Sequence, residues 1–597
     1  MQLSPAELAV QYPHLAEALQ KMPEGEAHLR RMQDLNQSWR GMVGSGNIRR
    51  YAEVVVTNEH EPLPATETFD IIYAGGGLNL LNAVVMSRRY GLRVLIFDRF
   101  TVGAVHREWN ISRAELRELL EVGLLTPEEL ETVIQREYRD GLVRFYAGSI
   151  AVAPAEIHLQ GVLDVAVDAE QLTLLCLRKI QAERTGGLSN LVLHNTTFVR
   201  CSVQPESGVV VDVISDNQPR SYRARLLIDG MGSTSPVACQ LNCGQPFSLV
   251  CPTVGTVARG YQAGTEAGQI DPTMGEVLVT TEDARDGRQM IWEAFPGRDD
   301  QVAIYLFHYA ETREQVDLLD LFERFFQLLP TYKDTSQVEI IKPVYGFIPA
   351  GYNSSLPWQR TPKVLAYDRV LSLGDAAAFQ SPLTFCGFGS YVRNLRRITT
   401  LLNLALEHNC LRASDLDRIR ASEAVPEVAR AFSKFMIAKP ASREPVWQVN
   451  ETLNVFSTVL NDLGPEVTHA FFKDRSSWLD YTRIVLKTPS YYPHIYKLAL
   501  KTLSPVEIFG WIGAWLKLGR QSAAHSIYQL ASPLLRSWPG KIIIHRMSGV
   551  SPEVALSFAI YQESMEQVGR GREVRTPVRA VPRRGLSHFL AGIWPRG

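Results

Sequence analysis

The chain has little cysteine, almost no net charge and no long apolar run. Seven cysteines in 597 residues, an odd number, make no disulfide framework and fit a reducing compartment. A formal net charge of −1 excludes a chain that binds nucleic acid over its whole surface by charge. No uninterrupted apolar stretch reaches 18 residues, so no membrane-spanning helix is expected. The opening MQLSPAELAV lacks a basic region followed by an apolar core, so no secretory signal is expected. His-Glu-x-x-His is absent, and Cys239, Cys243 and Cys251 are spaced unlike zinc ligands, so no metal centre is expected. What is present is an ordinary folded composition, 45% hydrophobic, 9% aromatic and 21% charged. It excludes a disordered chain, a collagen and a coiled-coil rod. The length allows about four domain-sized units.

Charge is unevenly placed. From Thr488 to Gly597 there are 14 Lys+Arg against 5 Glu and no Asp, a local +9 that leaves −10 on the rest. A basic C-terminal segment on an acidic protein calls for an anionic partner.

Periodicity and punctuation predict an α/β chain. Residues 1–68 read as a helical extension, with Ser4 capping and Pro5 at the first helical position, followed by the linker Glu61–Thr66. Phe69–Ala74 is a short apolar strand, Leu80–Tyr90 a helix and Arg93–Phe97 the next strand, together one βαβ unit. Ser112–Glu115 and Thr126–Glu129 are capping boxes that start two helices. Further helices are expected near 169–184, 316–329 and 388–407. Strands are expected at Ala224–Ile228 and Val370–Leu373, and mostly helix after 411. The resulting division is 69–240 for a first domain, with about 143–200 interleaved from a second, then 241–350 for the second, 351–410 for the rest of the first, and 411–597 for a helical C-terminal region.

Two glycine-rich segments carry binding chemistry. Gly75 and Gly77 fit the first two positions of a dinucleotide fingerprint, a tight turn that lets backbone approach a pyrophosphate at a helix N-terminus. The third position is Leu80, a departure. Asp98 follows Gly77 by 21 residues, where an acid holds a ribose hydroxyl. The second segment runs from Gly374-Asp375 through Pro382 to Gly387 and Gly389 at the start of a long helix. Asp375 can accept from a ribityl chain or contact phosphates through backbone and water. The positive end of that helix would favour the charge of a reduced, deprotonated flavin.

Asp70–Gly77, Asp98-Arg99, Asp229-Gly230 and Gly374–Gly389, in this order, resemble the FAD-binding group of aromatic hydroxylases, geranylgeranyl reductases and lycopene cyclases. Arg107-Glu-Trp-Asn-Ile-Ser-Arg113 and Ile291-Trp-Glu-Ala-Phe-Pro296 are similar to the CruA/CruP-type lycopene cyclases of photosynthetic bacteria and cyanobacteria. The likeness covers about residues 69–410, and Asn79–Ala83 with the long C-terminal region leans towards the CruA side. It implies a Rossmann-like FAD domain with an interleaved antiparallel-sheet substrate domain. It also implies reduced FAD, held by Gly75, Gly77, Asp98, Arg99, Asp229, Gly374, Asp375, Pro382, Gly387 and Gly389, with NAD(P)H as an outside reductant. The implied reaction is redox-neutral. A proton adds to the terminal double bond of lycopene or another linear carotenoid, a neighbouring double bond closes the ring, and proton loss leaves a β-ring, giving γ-carotene, β-carotene or both.

Such chemistry demands an acid in a dry site and electron-rich faces for a cation. Glu293, between Trp292 and Phe295, is the candidate acid. It matches the first Glu of the Phe-Leu-Glu-Glu-Thr motif of plant-type cyclases, whose second Glu is replaced here by Ala294. Glu108 is the candidate partner, and Trp292, Phe295 and Trp109 are candidate substrate contacts.

The C-terminal region reads as a membrane-surface device. Ser504–Glu507 opens a helix on which Ile508, Trp511, Ile512, Trp515 and Leu518 recur at helical spacing. Ile527, Leu530, Leu534, Trp538, the arginines from Arg570 to Arg584 and Trp594 follow. This places the chain peripherally, on the cytoplasmic side of a thylakoid or plasma membrane. Two other classes fit the same segments: an FAD-dependent isoprenoid reductase or monooxygenase, and a non-catalytic carotenoid-binding photoprotective protein of CruP type. A redox enzyme would consume reductant in proportion to product. A binding protein would leave its carotenoid linear and would not respond to Glu293→Gln.

Overall fold

The computed structural model describes residues 4–43, 51–57, 67–105, 107–148, 152–242, 244, 247–312, 314, 316–352, 366–378, 383–384, 387–419, 424–536, 556, 559–561 and 563.

The first sheet grows from the βαβ unit. Thr68–Ala74 and Val94–Phe97 pair in parallel, with the helix Asn79–Tyr90 between them in sequence. Gly91, left-handed at φ 65°, ends that helix at no steric cost. Leu191–Leu193 extends the sheet beyond Val94–Phe97, and Gln218–Asp229 and Val370–Ser372 extend it on the other side, all in parallel. Numbered along the chain, these five strands lie in the order 3-2-1-4-5, the Rossmann order. The winding reverses between Thr68–Ala74 and Gln218–Asp229, and the crevice beyond the carboxyl ends of those strands is where doubly wound sheets bind ligands. The first half of Gln218–Asp229 leaves this parallel set and pairs antiparallel with Gly208–Ser215, which pairs with Thr196–Gln204. Val55–Thr57 closes that edge.

The second sheet has eight strands. Glu156–Leu159, Asp140–Arg144, Met274–Val279, Ile291–Pro296, Val302–Phe307 and Phe247–Arg259 follow one another across it, with Ala310–Glu311 and Glu339–Tyr352 both paired to the last. Only Asp140–Arg144 against Met274–Val279 is parallel. Alternation along Ile291–Pro296 assigns its side chains to two cores: Ile291 and Phe295 join one, Trp292 and Ala294 the other.

Helices cover the Trp292 side. Leu318–Tyr332 and the extension helices Pro5–Gln11, Pro13–Lys21 and Gly25–Val43 bury their apolar faces there. Trp39 stacks on Phe347 with ring centres 4.7 Å apart. Asp317 caps the first of these by accepting from Leu319 N–H at 2.7 Å, and Asn36 of the extension donates to the same carboxylate.

The C-terminal helices Gln448–Leu463, Pro465–Phe472, Trp478–Tyr491 and Pro505–Arg536 contribute Leu453, Phe471, Tyr481 and Leu518 to the core on the other side. Among the described residues, no helix is long and apolar enough to cross a membrane.

The interleaved stretch is shorter than 143–200. Asp140–Arg144 and Glu156–Leu159 belong to the eight-stranded sheet, but Ala169–Ala182 packs with Asn79–Tyr90, and Leu191–Leu193 and Thr196–Gln204 belong to the first sheet. Sequence pattern separates strands from helices but does not say which sheet a strand joins.

Candidate active site

The glycine turn lies at the switch point between the two central strands. Gly75 has φ +105°, and a Cβ there would stand 2.3 Å from the Gly230 carbonyl oxygen. Gly75→Ala is therefore expected to destabilise the fold by more than about 1 kcal/mol, seen as a lowered thermal midpoint. A Cβ on Gly76 would run into Val102 at 2.9 Å, whereas one on Gly77 would meet nothing within 4 Å. Gly77 thus faces the open space beside the N-terminus of Asn79–Tyr90. That helix has no side-chain cap; Leu80 and Leu81 N–H donate to the carbonyls of Gly77 and Leu78 at 3.0 and 3.1 Å, while the amides of Gly77, Leu78 and Asn79 have no partner among the described residues. Asn79 Nδ2 is buried there without a partner among the described residues. Leu80, where the fingerprint has its third glycine, is fully buried, and the missing side chain at Gly103 leaves room for it.

Asp98 organises the turn. Its carboxylate accepts from Gly76 N–H at 2.8 Å and from Phe100 N–H at 2.9 Å. Each oxygen keeps a lone pair for a further donor. Arg99 lies over the Phe100 ring at 4.8 Å. Asp229 is a correction. It is fully buried, and its oxygens accept from Met231 N–H, Ser235 Oγ and Ser372 Oγ at 3.1, 2.7 and 2.8 Å. It ties the strand ends together and has no atom turned to a ligand. Burial pushes its pKa up despite those three donors.

The second segment closes the crevice. Gly374 takes φ +62° and a Cβ on it would meet nothing within 4 Å. Asp375 faces Arg107 at 3.8 Å. Gly387 begins the helix Gly387–Glu407, and Gly389 packs where a Cβ would lie 3.3 Å from Glu115 Oε2. Pro382 lies outside the described residues. Uncapped helix amides, an orphaned amide donor and open space before Gly77 and Gly374 fit a dinucleotide. For FAD, Gly75–Gly77 and Asp98 would hold the adenosine and pyrophosphate side, and Gly374, Asp375 and Gly387 the flavin side.

Beyond Asp375 and Gly387 lies a cavity of about 130 Å³. Glu293, Phe295, Glu108, Trp109, Asp375 and Gly387 all line it, so four of the five candidate catalytic and substrate residues converge on one space. Glu293 is 7% exposed, and its carboxyl has no hydrogen-bond or ion-pair partner among the described residues. Loss of hydration alone pushes its pKa up to about 8. Glu108 is the opposite case. Lys342 Nζ stands 2.6 Å from one of its oxygens and Gln135 Nε2 3.3 Å from the other. Trp109 stacks on Phe388 with ring centres 4.6 Å apart.

Trp292 is a second correction. Adjacent side chains on a strand point to opposite faces. Trp292 therefore leaves the cavity and stacks on Tyr332 at 4.6 Å in the opposite core.

Tyr305 and Lys342 join the site although no local pattern marked them, and Arg107, which opens the Arg107–Arg113 segment, lines it as well. Tyr305 lies directly opposite Glu293 in the strand register, and its hydroxyl accepts from Glu108 N–H at 3.1 Å, joining the two carboxyl residues through one side chain. Only the pairing of two strands reveals this.

Cys251 is buried and Cys243 lies outside the described residues. Among the described residues, no three His, Cys, Asp or Glu side chains are grouped to hold a metal ion. On Pro505–Arg536, Leu518 is buried, Trp511 packs against the core, and Trp515 donates to Thr482 Oγ1 at 3.1 Å. These three serve packing; among the described side chains of that helix, Phe509, Ile512, Leu516 and Ile527 are exposed and apolar. The side chains of Leu530 and Leu534, and residues Trp538, Arg570–Arg584 and Trp594, lie outside what is described.

No family model and no curated protein matches the chain. Among solved structures it is similar to a geranylgeranyl bacteriochlorophyll reductase-like protein of Thermoplasma acidophilum, at 14% identity and TM-score 0.45, covering 73% of this chain and 100% of that one. It is similar also to p-nitrophenol 4-monooxygenase of Pseudomonas putida, at 14% and 0.46, covering 69% and 99%. A flavoprotein/dehydrogenase of Cytophaga hutchinsonii gives 11% and 0.48, covering 71% and 99%. Likeness at these identities and TM-scores assigns neither family nor function; the chemistry of this chain rests on the residues of its site.

Proposed function

We propose that this chain is an FAD-dependent lycopene cyclase that closes β-rings on linear carotenoid ends without net redox change. The observation that carries the reading is Glu293, a buried and unpartnered carboxyl on the wall of an aromatic cavity beside the dinucleotide crevice. With its pKa pushed up to about 8, it is a proton donor at neutral pH.

The Glu293 carboxyl gives its proton to the terminal double bond, whose π pair forms the new C–H bond and leaves a tertiary cation. The pair of a neighbouring double bond forms the ring C–C bond, and the charge moves into the ring. Loss of the adjacent proton to the Glu293 carboxylate leaves the ring double bond and restores the acid, so protons and electrons balance. Glu108, paired with Lys342 at 2.6 Å, lines the same cavity and is the second carboxyl beside the reacting end. The faces of Trp109, Phe388 and Phe295 attract the cation and exclude water. FAD, when bound and reduced, would add a negative charge, with NAD(P)H as the outside reductant.

A substrate this apolar arrives from a membrane. We assign peripheral contact on the cytoplasmic side to Leu486, Leu500, Phe509 and Leu516, each more than half exposed and interspersed in sequence with Lys487, Lys501 and Lys517. Lys487 and Lys501 are already paired with Asp462 and Glu444 at 2.6 and 3.4 Å, so the apolar side chains carry this contact.

The test is pigment analysis of lycopene-accumulating bacteria expressing the chain. Monocyclic or dicyclic β-ring product, absent with Glu293→Gln and formed without stoichiometric reductant, is the expected result. Unchanged lycopene with flavin-loaded wild type would overturn the reading. So would reductant consumed in proportion to product, which is the mark of a reductase or monooxygenase.

A further inference from the structure

A second cavity lies in the C-terminal region, among Ala424–Ser433, Gln448–Leu463, Trp478–Tyr491 and Ile495–Thr502. Its volume is about 410 Å³, and its walls include Phe432, Leu453, Phe456, Val485 and Trp511. The few polar groups on it are already engaged. Thr452 and Thr488 donate to the carbonyls of Gln448 and Ile484 at 2.8 and 2.7 Å, and the Tyr492 hydroxyl donates to Glu451 at 2.9 Å. A polar headgroup finds nothing to bind there.

One wall is a lid of little depth. The helix Ile495–Thr502 has no buried residue, yet Tyr496 and Leu500 line the cavity while 52% and 71% exposed. The cavity therefore opens at an apolar part of the surface. At its other side is Leu383, from the segment between the Val370–Ser372 strand and the Gly387–Glu407 helix. Leu383 belongs to the same apolar cluster as Phe295 and Tyr305, which wall the Glu293 cavity.

We infer that this cavity binds the hydrocarbon chain of a linear isoprenoid. Apolar cavities of about 150 Å³ already stay dry and take up benzene, and each buried CH₂ of a chain contributes about 0.8 kcal/mol. The apolar mouth at Tyr496 and Leu500 admits such a molecule from lipid, and Leu383 brings it to the cluster that walls the acid site. The choice of an isoprenoid over another hydrocarbon rests on the cyclase reading; the site itself does not.

The test uses the full flavin-loaded chain and tritiated squalene, a linear isoprenoid hydrocarbon, carried in detergent micelles and followed by co-elution on gel filtration. Wild type and Glu293→Gln are expected to retain squalene equally, and Ala499→Trp and Ala431→Trp, which fill the cavity from two helices, to lose binding by about tenfold or more. Brominated squalene is expected to quench Trp511 fluorescence, a readout that does not depend on the filling variants; Trp511→Phe should lose that quenching and keep binding. Undiminished binding in folded filling variants, or no quenching of Trp511, would overturn the site. Equal displacement of squalene by palmitate would overturn its isoprenoid assignment in favour of a lipid acyl chain. Ring closure lost with squalene binding intact counts against the cyclase reading alone; ring closure intact without squalene binding counts against this one alone.

Discussion

Glu293→Gln is expected to slow ring closure by about 10²–10⁴-fold while leaving the chain folded, because the change removes the proton donor and almost nothing else. The amide has the shape of the carboxyl, and no partner among the described residues is left behind. The pH profile gives the sharper check. The side chain's ordinary value is 4.5, and burial raises it to about 8 in the folded chain. The acid form is therefore full at neutral pH and is lost as pH rises through about 8, so the wild-type rate should fall tenfold per pH unit above that point. Stability shows the same group. Between pH 4.5 and about 8 the folded chain holds a proton that the unfolded chain has released, so stability declines across that window and levels off above it. In Glu293→Gln that slope should vanish, with a higher melting midpoint than wild type at pH 8 or above. A wild-type rate flat from pH 6 to 10 would remove Glu293 from the reaction.

Glu115→Ala is expected to destabilise the fold by about 3–5 kcal/mol, the cost of leaving one half of a buried ion pair behind. Glu115 Oε1 stands 2.7 Å from Arg393 Nη1, and the two side chains are 6% and 5% exposed. Arg475 lies 3.9 Å from the same oxygen, and the other oxygen accepts from Ser112 N–H at 3.2 Å. One carboxylate thus joins the start of Arg113–Glu121, the helix behind Gly387 and the C-terminal helical region. Burial alone would raise its pKa, but Arg393, Arg475 and Lys473 override this and hold it at about 2. The unfolded value lies near 4.5, so the contribution is complete above that pH and fades as pH falls through about 2. Chemical denaturation of wild type and Glu115→Ala between pH 3 and 7 should show the gap narrowing at the acid end; a constant or small gap would contradict the account.

The helix-start chemistry of Ser112–Glu115 and the βαβ unit were legible because each is a local pattern: capping residues at fixed spacing, glycines where a strand meets a helix. Glu293 was singled out by its aromatic neighbours and its match to the cyclase motif, and it does line the cavity, but the same inspection gave Trp292 the wrong face. Adjacent residues on a strand look equally placed until the sheet says which side holds the cavity. Asp229 misled for a different reason. It came from the resemblance alone, and the serines that occupy it lie 6 and 143 residues away. Tyr305 and Lys342 reach the site through strand register and long-range packing. Nothing in a window of ten or twenty residues predicts that.

The Asp229–Ser372 bond also sets a timetable. Its two halves are separated by 143 residues, and six of the eight strands of the second sheet lie between them. At about 5–20 residues per second of synthesis, the fourth parallel strand waits roughly 7–30 s for the fifth. During that interval the Asp229 carboxylate lacks one of its donors, and the Gly374–Gly389 side of the crevice does not yet exist. The Gly75–Gly77 end of the crevice can form early, but its closure is a late event in the birth of the protein, after the strands of the second sheet have been made. A nascent chain arrested before residue 370 would expose that sheet edge to the cell's folding machinery.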